Sequence, residues 1–376
     1  LRNGVSIVGG GVAGLSLAAL LGRDVDVKLF EEHRVVGYPK HCTGVISSET
    51  LKLFKDILFE PPTLASSREV EIHAGSKSMS INLSKNPIYV VDRQLFEEKL
   101  LDSALNAGAE VELGVRVRSF KASPNGVTLI AGSAEECFNS IVIAEGAARR
   151  LSRNLKCPEG EVIYGVNYLV RVGECIEPKV HVFFTKSTPG LFAWFVPIGS
   201  EAIVGYGGGL IHRDELLSYV VKCTNVKLGG VIESYGGLIN IAKPCSPVHC
   251  NGRVYLTGDS AALNKPLTGG GLHAIAMLTP ALASSIKSSE STSLIKVFKA
   301  FEKRHRVQLN ARRAVMALGG LHVGAEALVR SLEARSLIEA QHFDHHEEAI
   351  LRSIKHPVKA LSILQQLLSV VLRARL

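Results

Sequence analysis

The chain has 376 residues, of which 46% are hydrophobic and 35 are glycine, and 43 basic against 35 acidic side chains give a formal net charge of +8. That length allows one large or two moderate domains with buried cores, and the composition suits a globular α/β enzyme with tight loops and excludes a disordered chain. The mild positive charge suits anionic cofactors, phosphorylated substrates or an anionic membrane face; with no dense basic block or recognisable motif, nucleic acid is not an expected partner.

At the N-terminus, Leu1 to Gly4 lead at once into "VSIVGGG", too short and glycine-bound for a signal peptide, so the expected location is cytoplasmic. "GVSIVGGGVAGLSLAALLG" reads as a strand, a glycine turn and a helix opening near Val12. Gly9, Gly11 and Gly14 form G-x-G-x-x-G: a tight turn, room for a pyrophosphate against the backbone, and close helix-to-strand packing. The helix start at Val12 and Ala13 then offers N–H groups to the phosphates. "VDVKLFEE" reads as a second strand ending at Glu31, 22 positions beyond Gly9, where a carboxylate accepts hydrogen bonds from ribose hydroxyls. Glu32 is the neighbouring candidate for that role.

"YPKHCTG" follows as a loop before the next helix, with His41 and Cys42 as its titratable pair; a buried inert cysteine and a surface histidine are the plain alternatives. "REVEIHAG" and "KSMSINLS" read as a hairpin, "IYVVDRQLFEEKLLDSALNAG" as strand then helix, and "AEVELGVRVRSFKAS", "GVTLIAG" and "SIVIAEG" as further strands. Short β-like runs dominate from Val162 to Ile241 and predict a substrate-domain sheet. Within it, "TPGLFAWFVPIG" puts Phe192, Trp194 and Val196 on one face and Ala193 and Phe195 on the other, which by itself describes a core strand.

Seven cysteines with no pair of C-x-x-C arms argue against a zinc ribbon. Cys245 and Cys250 flank "SPVH" and read equally as a small disulfide or as two thiols. "RVYLTG" predicts a strand ended by Asp259, and a Pro-Gly loop leads to a long apolar helix from Gly271 or Leu272. An aspartate there takes hydrogen bonds from a polyol chain, and the helix start favours negative charge on a bound ring. Beyond Leu278 the chain is helical and basic. Arg304, Arg306, Arg312 and Arg313 read first as a solvated helix face and second as a contact for lipid headgroups. His342, His345 and His346 around Asp344 have spacing too weak to predict a metal, and none is expected. The tail "ALSILQQLLSVVLRARL" is broken by Gln365 and Gln366, which excludes a span and leaves peripheral attachment at the inner membrane face.

Together, "IVGGGVAG", "YPKHCTGVIS", "VVDRQLFEEKL", "FAWFVP" and "LTGDSAALNKPLTGGGLHAI" resemble the FAD-dependent geranylgeranyl reductase family, within the larger group typified by aromatic hydroxylases. The likeness is scattered over residues 7–275. It implies an α/β FAD-binding Rossmann-type fold with a mixed-sheet substrate domain and a helical C-terminal region. The expected division is 1–65, 88–160 and 251–290 for FAD, 66–87 and 161–250 for substrate, and 291–376 for the helices. FAD is the implied cofactor, held by the glycine turn and by Cys42, Thr43, Gly44 and Arg93. Gly258 and Asp259 then lie by the ribityl and phosphate region, and Pro266, Gly269, Gly270, Gly271 and Leu272 shape the floor near the isoalloxazine. Glu145-Gly146 stands where the wider group has Asp-Gly, and the electron donor, NAD(P)H or ferredoxin, stays open.

The resemblance also makes Cys42 and His41 the catalytic candidates, and Tyr38, Phe192, Trp194, Val196 and Pro197 the substrate contacts. Phe192 and Val196 replace the usual Tyr and Phe of the aromatic signature. An isoprenoid lipid is the implied substrate: saturation of geranylgeranyl chains of archaeal ether lipids, by flavin N5 hydride plus a proton. An FAD monooxygenase of an aromatic or quinone-like substrate and a non-enzymatic FAD-binding membrane-associated protein are the competing readings. A halogenase is disfavoured, because the first aromatic of "FAWFVP" is Phe192 and no position suits a catalytic lysine.

Overall fold

A computed structural model describes residues 4–173, 176–331 and 343–375. Its first layer is a six-stranded sheet in the order β18 (Val248–His249), β19 (Val254–Leu256), β12 (Ser140–Ile143), β1 (Gly4–Val8), β2 (Asp26–Glu31) and β8 (Glu110–Leu113), parallel except at the β18 edge. β1 and β12 are buried along their whole length, which is why they read as continuous apolar runs. Strand alternation divides their side chains. Val5, Ile7, Val27, Leu29 and Val142 pack with α1 (Val12–Leu21), α3 (Arg93–Asn106) and α5 (Leu272–Ser288). Val8, Phe30, Ile141 and Ile143 pack on the other side against an antiparallel sheet of β11 (Ala134–Phe138), β10 (Gly126–Ala131) and β9 (Val117–Ser123).

The second layer is a seven-stranded mixed sheet in the order β17 (Leu228–Ile241), β13 (Glu161–Val172), β16 (Glu201–Gly207), β15 (Ala193–Ile198), β14 (Lys179–Phe184), β5 (Glu69–Ala74) and β6 (Lys77–Asn82). Only β14 and β5 run parallel. Ala193 and Phe195 face α4 (Arg213–Thr224) through Leu216 and Val220. Trp194 and Val196 face the opposite way, towards Leu321 at the start of α7 (Leu321–Arg330), Val315 near the end of α6 (Thr292–Ala317), Leu267 and Phe343. A small sheet of β3 (Val45–Ser47), β7 (Ile88–Val91) and β4 (Thr63–Ser67) joins the layers, and α2 (Ser48–Ile57) follows β3 with Ser47 as its N-cap. α8 (His346–Lys355) and α9 (Pro357–Arg375) end the chain.

Several expectations change. The boundary after residue 65 falls inside β4, and the region 161–250 holds a twelve-residue helix, α4, besides strands. Cys245 is bonded to Cys157, 88 positions earlier, and Cys250 is an exposed thiol. Their partnership is made by topology: β13 and β17 pair Glu161 with Ile241, which brings the segments just outside the two strands together. Arg304, Arg306 and Arg313 are exposed as expected, but Arg312 is buried. It donates to Glu161 Oε2 at 2.6 Å, Gly190 O at 2.8 Å and Pro266 O at 3.1 Å, bolting the seven-stranded sheet to the loop before α5. His342 lies outside the described residues.

Candidate cofactor cleft

The glycine turn has the backbone its motif requires. Gly9 has φ +111°, and a Cβ there would sit 2.2 Å from the Ala144 carbonyl oxygen; one on Gly14 would sit 1.9 Å from Gly9 O. A Cβ on Gly11 would meet nothing within 4 Å, so this one face is open to a ligand. Gly11 N-caps α1, whose first N–H groups, at Val12 and Ala13, have no carbonyl inside the helix to bond. Gly10 N–H donates to Glu31 Oε2 at 2.6 Å, and His33 N–H donates to Oε1 at 2.8 Å. Glu31 is thus fixed against the turn. Glu32 is paired instead with Arg116 and Arg150. The Glu145 carboxylate accepts from the Leu151 and Ser152 amides at 2.8 Å, so that residue faces the turn with backbone only, its N 3.1 Å from a Cβ at Gly9.

The distal aspartate segment docks on the same helix. Gly258, at φ +64°, packs so close that a Cβ would lie 3.1 Å from Ala13 Cβ. Gly271, the N-cap of α5, leaves room for Asp259 and Asn264; a Cβ there would be 3.3 Å from Asp259 Oδ1 and 2.4 Å from Asn264 Oδ1. Burial pushes the Asp259 carboxyl up, against Asn264, His41 and Arg93, which favour its charge. The loop before α5 is closed by Gly269 N–H to Lys265 O at 2.8 Å and Lys265 N–H to Gly270 O at 3.0 Å, with Pro266 buried and Leu272 half-buried.

The Cys42 loop makes the third wall. Lys40 pairs with Glu233 at 2.8 Å, and Gly237 on the same strand, β17, accommodates His41, whose Cβ would be 2.7 Å from a Cβ at Gly237. His41 reaches solvent yet is ringed by protein, as in a cleft wall; that crowding, with Arg93 nearby, holds its pKa below the ordinary histidine value. Gly44 N–H points at Cys42 Sγ at 3.4 Å, and Gly44 itself, at φ +76°, abuts Val91 O; Thr43 between them is half-buried. Cys42 lies beside Arg93 and Tyr235. Arg93 is paired with Glu97; burial alone would lower its pKa, but Glu97 and Cys42 raise it. Its Nε is buried with no hydrogen-bond partner among the described residues.

Trp194 Nε1–H donates to Asn167 Oδ1 at 3.0 Å, and its indole stands edge-on to Phe192 with centroids 5.9 Å apart. Gly205 across the strand is obligatory, since a Cβ would lie 2.5 Å from Nε1. Val196 and Pro197 are buried, whereas Tyr38 is 59% exposed and stands apart from this buried wall in its environment. Sequence reasoning missed Asn167, Tyr235, Gly237 and Asn264. A signal existed for the β17 residues: the double glycine in "SYGGLIN" marks a strand approached closely by other backbone.

An open glycine face, an orphaned guanidinium N–H and two helix N-termini converging on one cleft fit a dinucleotide with an attached ring, and FAD is that group. An FAD binding domain model matches residues 2–136. The chain is 28% identical over 310 residues to a digeranylgeranylglycerophospholipid reductase of Methanoculleus marisnigri, covering 76% of each chain. It is 29% identical to the reductase of the same name from Methanosarcina acetivorans, with 80% of each covered. Over 98% of this chain and all of the relative, it is 25% identical to digeranylgeranylglycerophospholipid reductase 2 of Methanothermobacter thermautotrophicus. Among solved structures, a geranylgeranyl bacteriochlorophyll reductase-like protein from Thermoplasma acidophilum superposes with a TM-score of 0.78 at 18% identity, covering 96% and 98% of the two chains. A halogenase superposes at 0.67 with 14% identity over 98% and 86%, a likeness of fold alone. The chain has an FAD-binding oxidoreductase fold, and its resemblance to the geranylgeranyl reductases extends over most of its length.

Proposed function

We infer that this FAD-dependent oxidoreductase saturates C=C bonds of geranylgeranyl chains, with archaeal ether lipids as the substrate class. The observation that carries the reading is the meeting of the Cys42 loop, Arg93 and Tyr235 at the cofactor cleft beside Asp259. When bound and reduced by an external electron donor, the flavin would supply hydride. An isolated trisubstituted alkene has no adjacent carbonyl to take the charge, so a proton must reach one carbon as hydride reaches the other.

Among the candidates on this wall, burial and the nearby Arg93 hold the His41 pKa below the ordinary histidine value. Burial, then Cys42, push the Tyr235 phenol well above its ordinary value. We assign the proton to Cys42, whose thiolate Arg93 beside it would stabilise. Leu267 at the floor loop packs into the buried apolar cluster of Trp194, Val196 and Leu191, which would exclude water from that side of the cleft. Gly9, Gly11, Gly14 and Glu31 would hold the adenosine diphosphate half, and Asp259 with the α5 N-terminus the ribityl and ring.

Peripheral membrane contact belongs to the same reading. Leu351, Ile354, Val358, Leu361, Leu364 and Leu368 recur at helical spacing along α8 and α9 and are all exposed, an amphipathic stripe suited to an interface. No helix among the described residues is long and apolar enough to cross a membrane.

The test is anaerobic. Dithionite-reduced enzyme mixed with a geranylgeranyl lipid should reoxidise its flavin while the product gains one H2 in mass per bond reduced; dithionite removes the need for the natural donor. No lipid-dependent reoxidation, or hydroxylation that requires oxygen, would overturn the assignment.

A further inference from the structure

Beside the cofactor cleft, three elements bring metal-binding side chains together. Glu49 is the second residue of α2, His273 the second of α5, and His345 immediately precedes α8. One donor atom from each lies within 4.8 Å of the other two. Glu49 Oε2 and His345 Nε2 are 3.0 Å apart. Ligand atoms bonded at roughly 2.0–2.1 Å to a tetrahedral ion sit roughly 3.3 Å from one another, so this spacing is close to preformed.

What stands behind the imidazoles is more telling. His273 Nδ1 is 3.2 Å from Thr50 Oγ1 and 3.5 Å from Asp344 Oδ2. Asp344 is buried and held by Lys265 at 2.8 Å and by Ser47. His345 Nδ1 is 3.5 Å from Glu347 Oε1, and Gln308 donates to the other Glu347 oxygen at 2.7 Å. Each ring is thus backed at Nδ1 by an oriented carboxylate, the arrangement that fixes a metal-ligating histidine and presents its Nε2. A cavity of about 350 Å³, lined by Ser47, Glu49, Asp344, His345 and Arg352 among others, adjoins the cluster and gives an ion both a path in and space for an outer ligand.

We propose that Glu49, His273 and His345 bind one zinc-like divalent cation, with the fourth coordination position open to this cavity. The other two candidate clusters differ. Cys157 and Cys245 near His249 are spent on their disulfide. Glu71, His73 and His181 have the Lys179 ammonium beside them, 3.6 Å from Glu71, and its charge opposes a cation there. The Glu49 site ties the start of α5, one residue past the ring-facing Gly271 and Leu272, to the C-terminal helices. It is independent of the substrate assigned above.

The full-length, FAD-loaded protein should retain one zinc per chain by elemental analysis after dialysis against trace zinc. Cobalt in its place should give the intense visible bands of a four-coordinate site. Glu49→Ala and His345→Ala should each weaken zinc binding roughly tenfold or more while FAD stoichiometry, read from the flavin absorbance, stays at one per chain. Should His345→Ala fail to fold, Glu49→Ala decides, since Glu49 is an exposed side chain. Wild-type protein that takes up neither zinc nor cobalt overturns the proposal, and so does a metal held as tightly by the variants.

Discussion

Replacing Cys42 by serine keeps an acceptor for the Gly44 N–H but substitutes an alcohol, a far weaker acid, for the thiol. Lipid-dependent flavin reoxidation should fall roughly 100-fold or more, the range for loss of a general acid, with FAD affinity unchanged by equilibrium dialysis. Trp194 is both core and wall. Trp194→Phe keeps most of the ring but strips Asn167 Oδ1 of its donor, costing about 1–3 kcal/mol, and turnover should drop more than FAD affinity does. Two histidines contribute to the acid limit. Burial, helped by His73, brings His181 down to about 4, and burial brings His305 down to about 4. Both bind protons more readily unfolded than folded, so their contribution is intact above about pH 6.5 and is lost as pH falls towards 4. The melting temperature should decline through that window, and His305→Gln should make the decline shallower.

At the level of elements, what was legible followed from burial. β1 and β12 are buried throughout and β15 up to Pro197, so their apolar runs announced them, and the glycine turn carried its own geometry. β17 lies inside the predicted β-rich stretch but was not singled out, because it is largely exposed or half-exposed, with glycine pairs and Glu233 in place of an apolar face. Yet β17 holds the Cys42 loop, through Glu233 and Gly237. Asn167, Asn264 and Tyr235 were illegible because their importance lies in partners far along the chain. The role of β17 has a direct check: Gly237→Ala puts a Cβ 2.7 Å from His41 Cβ and must push the loop away from Arg93. Turnover should fall roughly tenfold or more if the thiol is displaced by about 1 Å. Gly230→Ala, in open space on the same strand, should leave turnover as it was.

For the whole molecule, the chain leaves the dinucleotide layer twice for the large sheet, first for β5 and β6 and then on the longer excursion from β13 to β17. The Cys157–Cys245 disulfide closes that excursion at its neck, 88 residues apart, and the Arg312 bolt to Glu161 and Pro266 lies across the same junction. The five-residue spacing left Cys250 open as a partner or as a free thiol, and the pairing is decided by β13 lying against β17, information that no local stretch carries. A crosslink closing a loop of this size stabilises by roughly 4 kcal/mol in the chain-entropy account, chiefly by restricting the unfolded state. Cys245→Ser should therefore lower the melting temperature of the oxidised protein by several degrees and abolish its response to reductant. Cys250→Ser, at an exposed thiol, should do neither. Peptide mapping without reduction should recover residues 157 and 245 in one crosslinked fragment; a Cys245–Cys250 fragment instead would mean that the neck is held by β13, β17 and Arg312 alone.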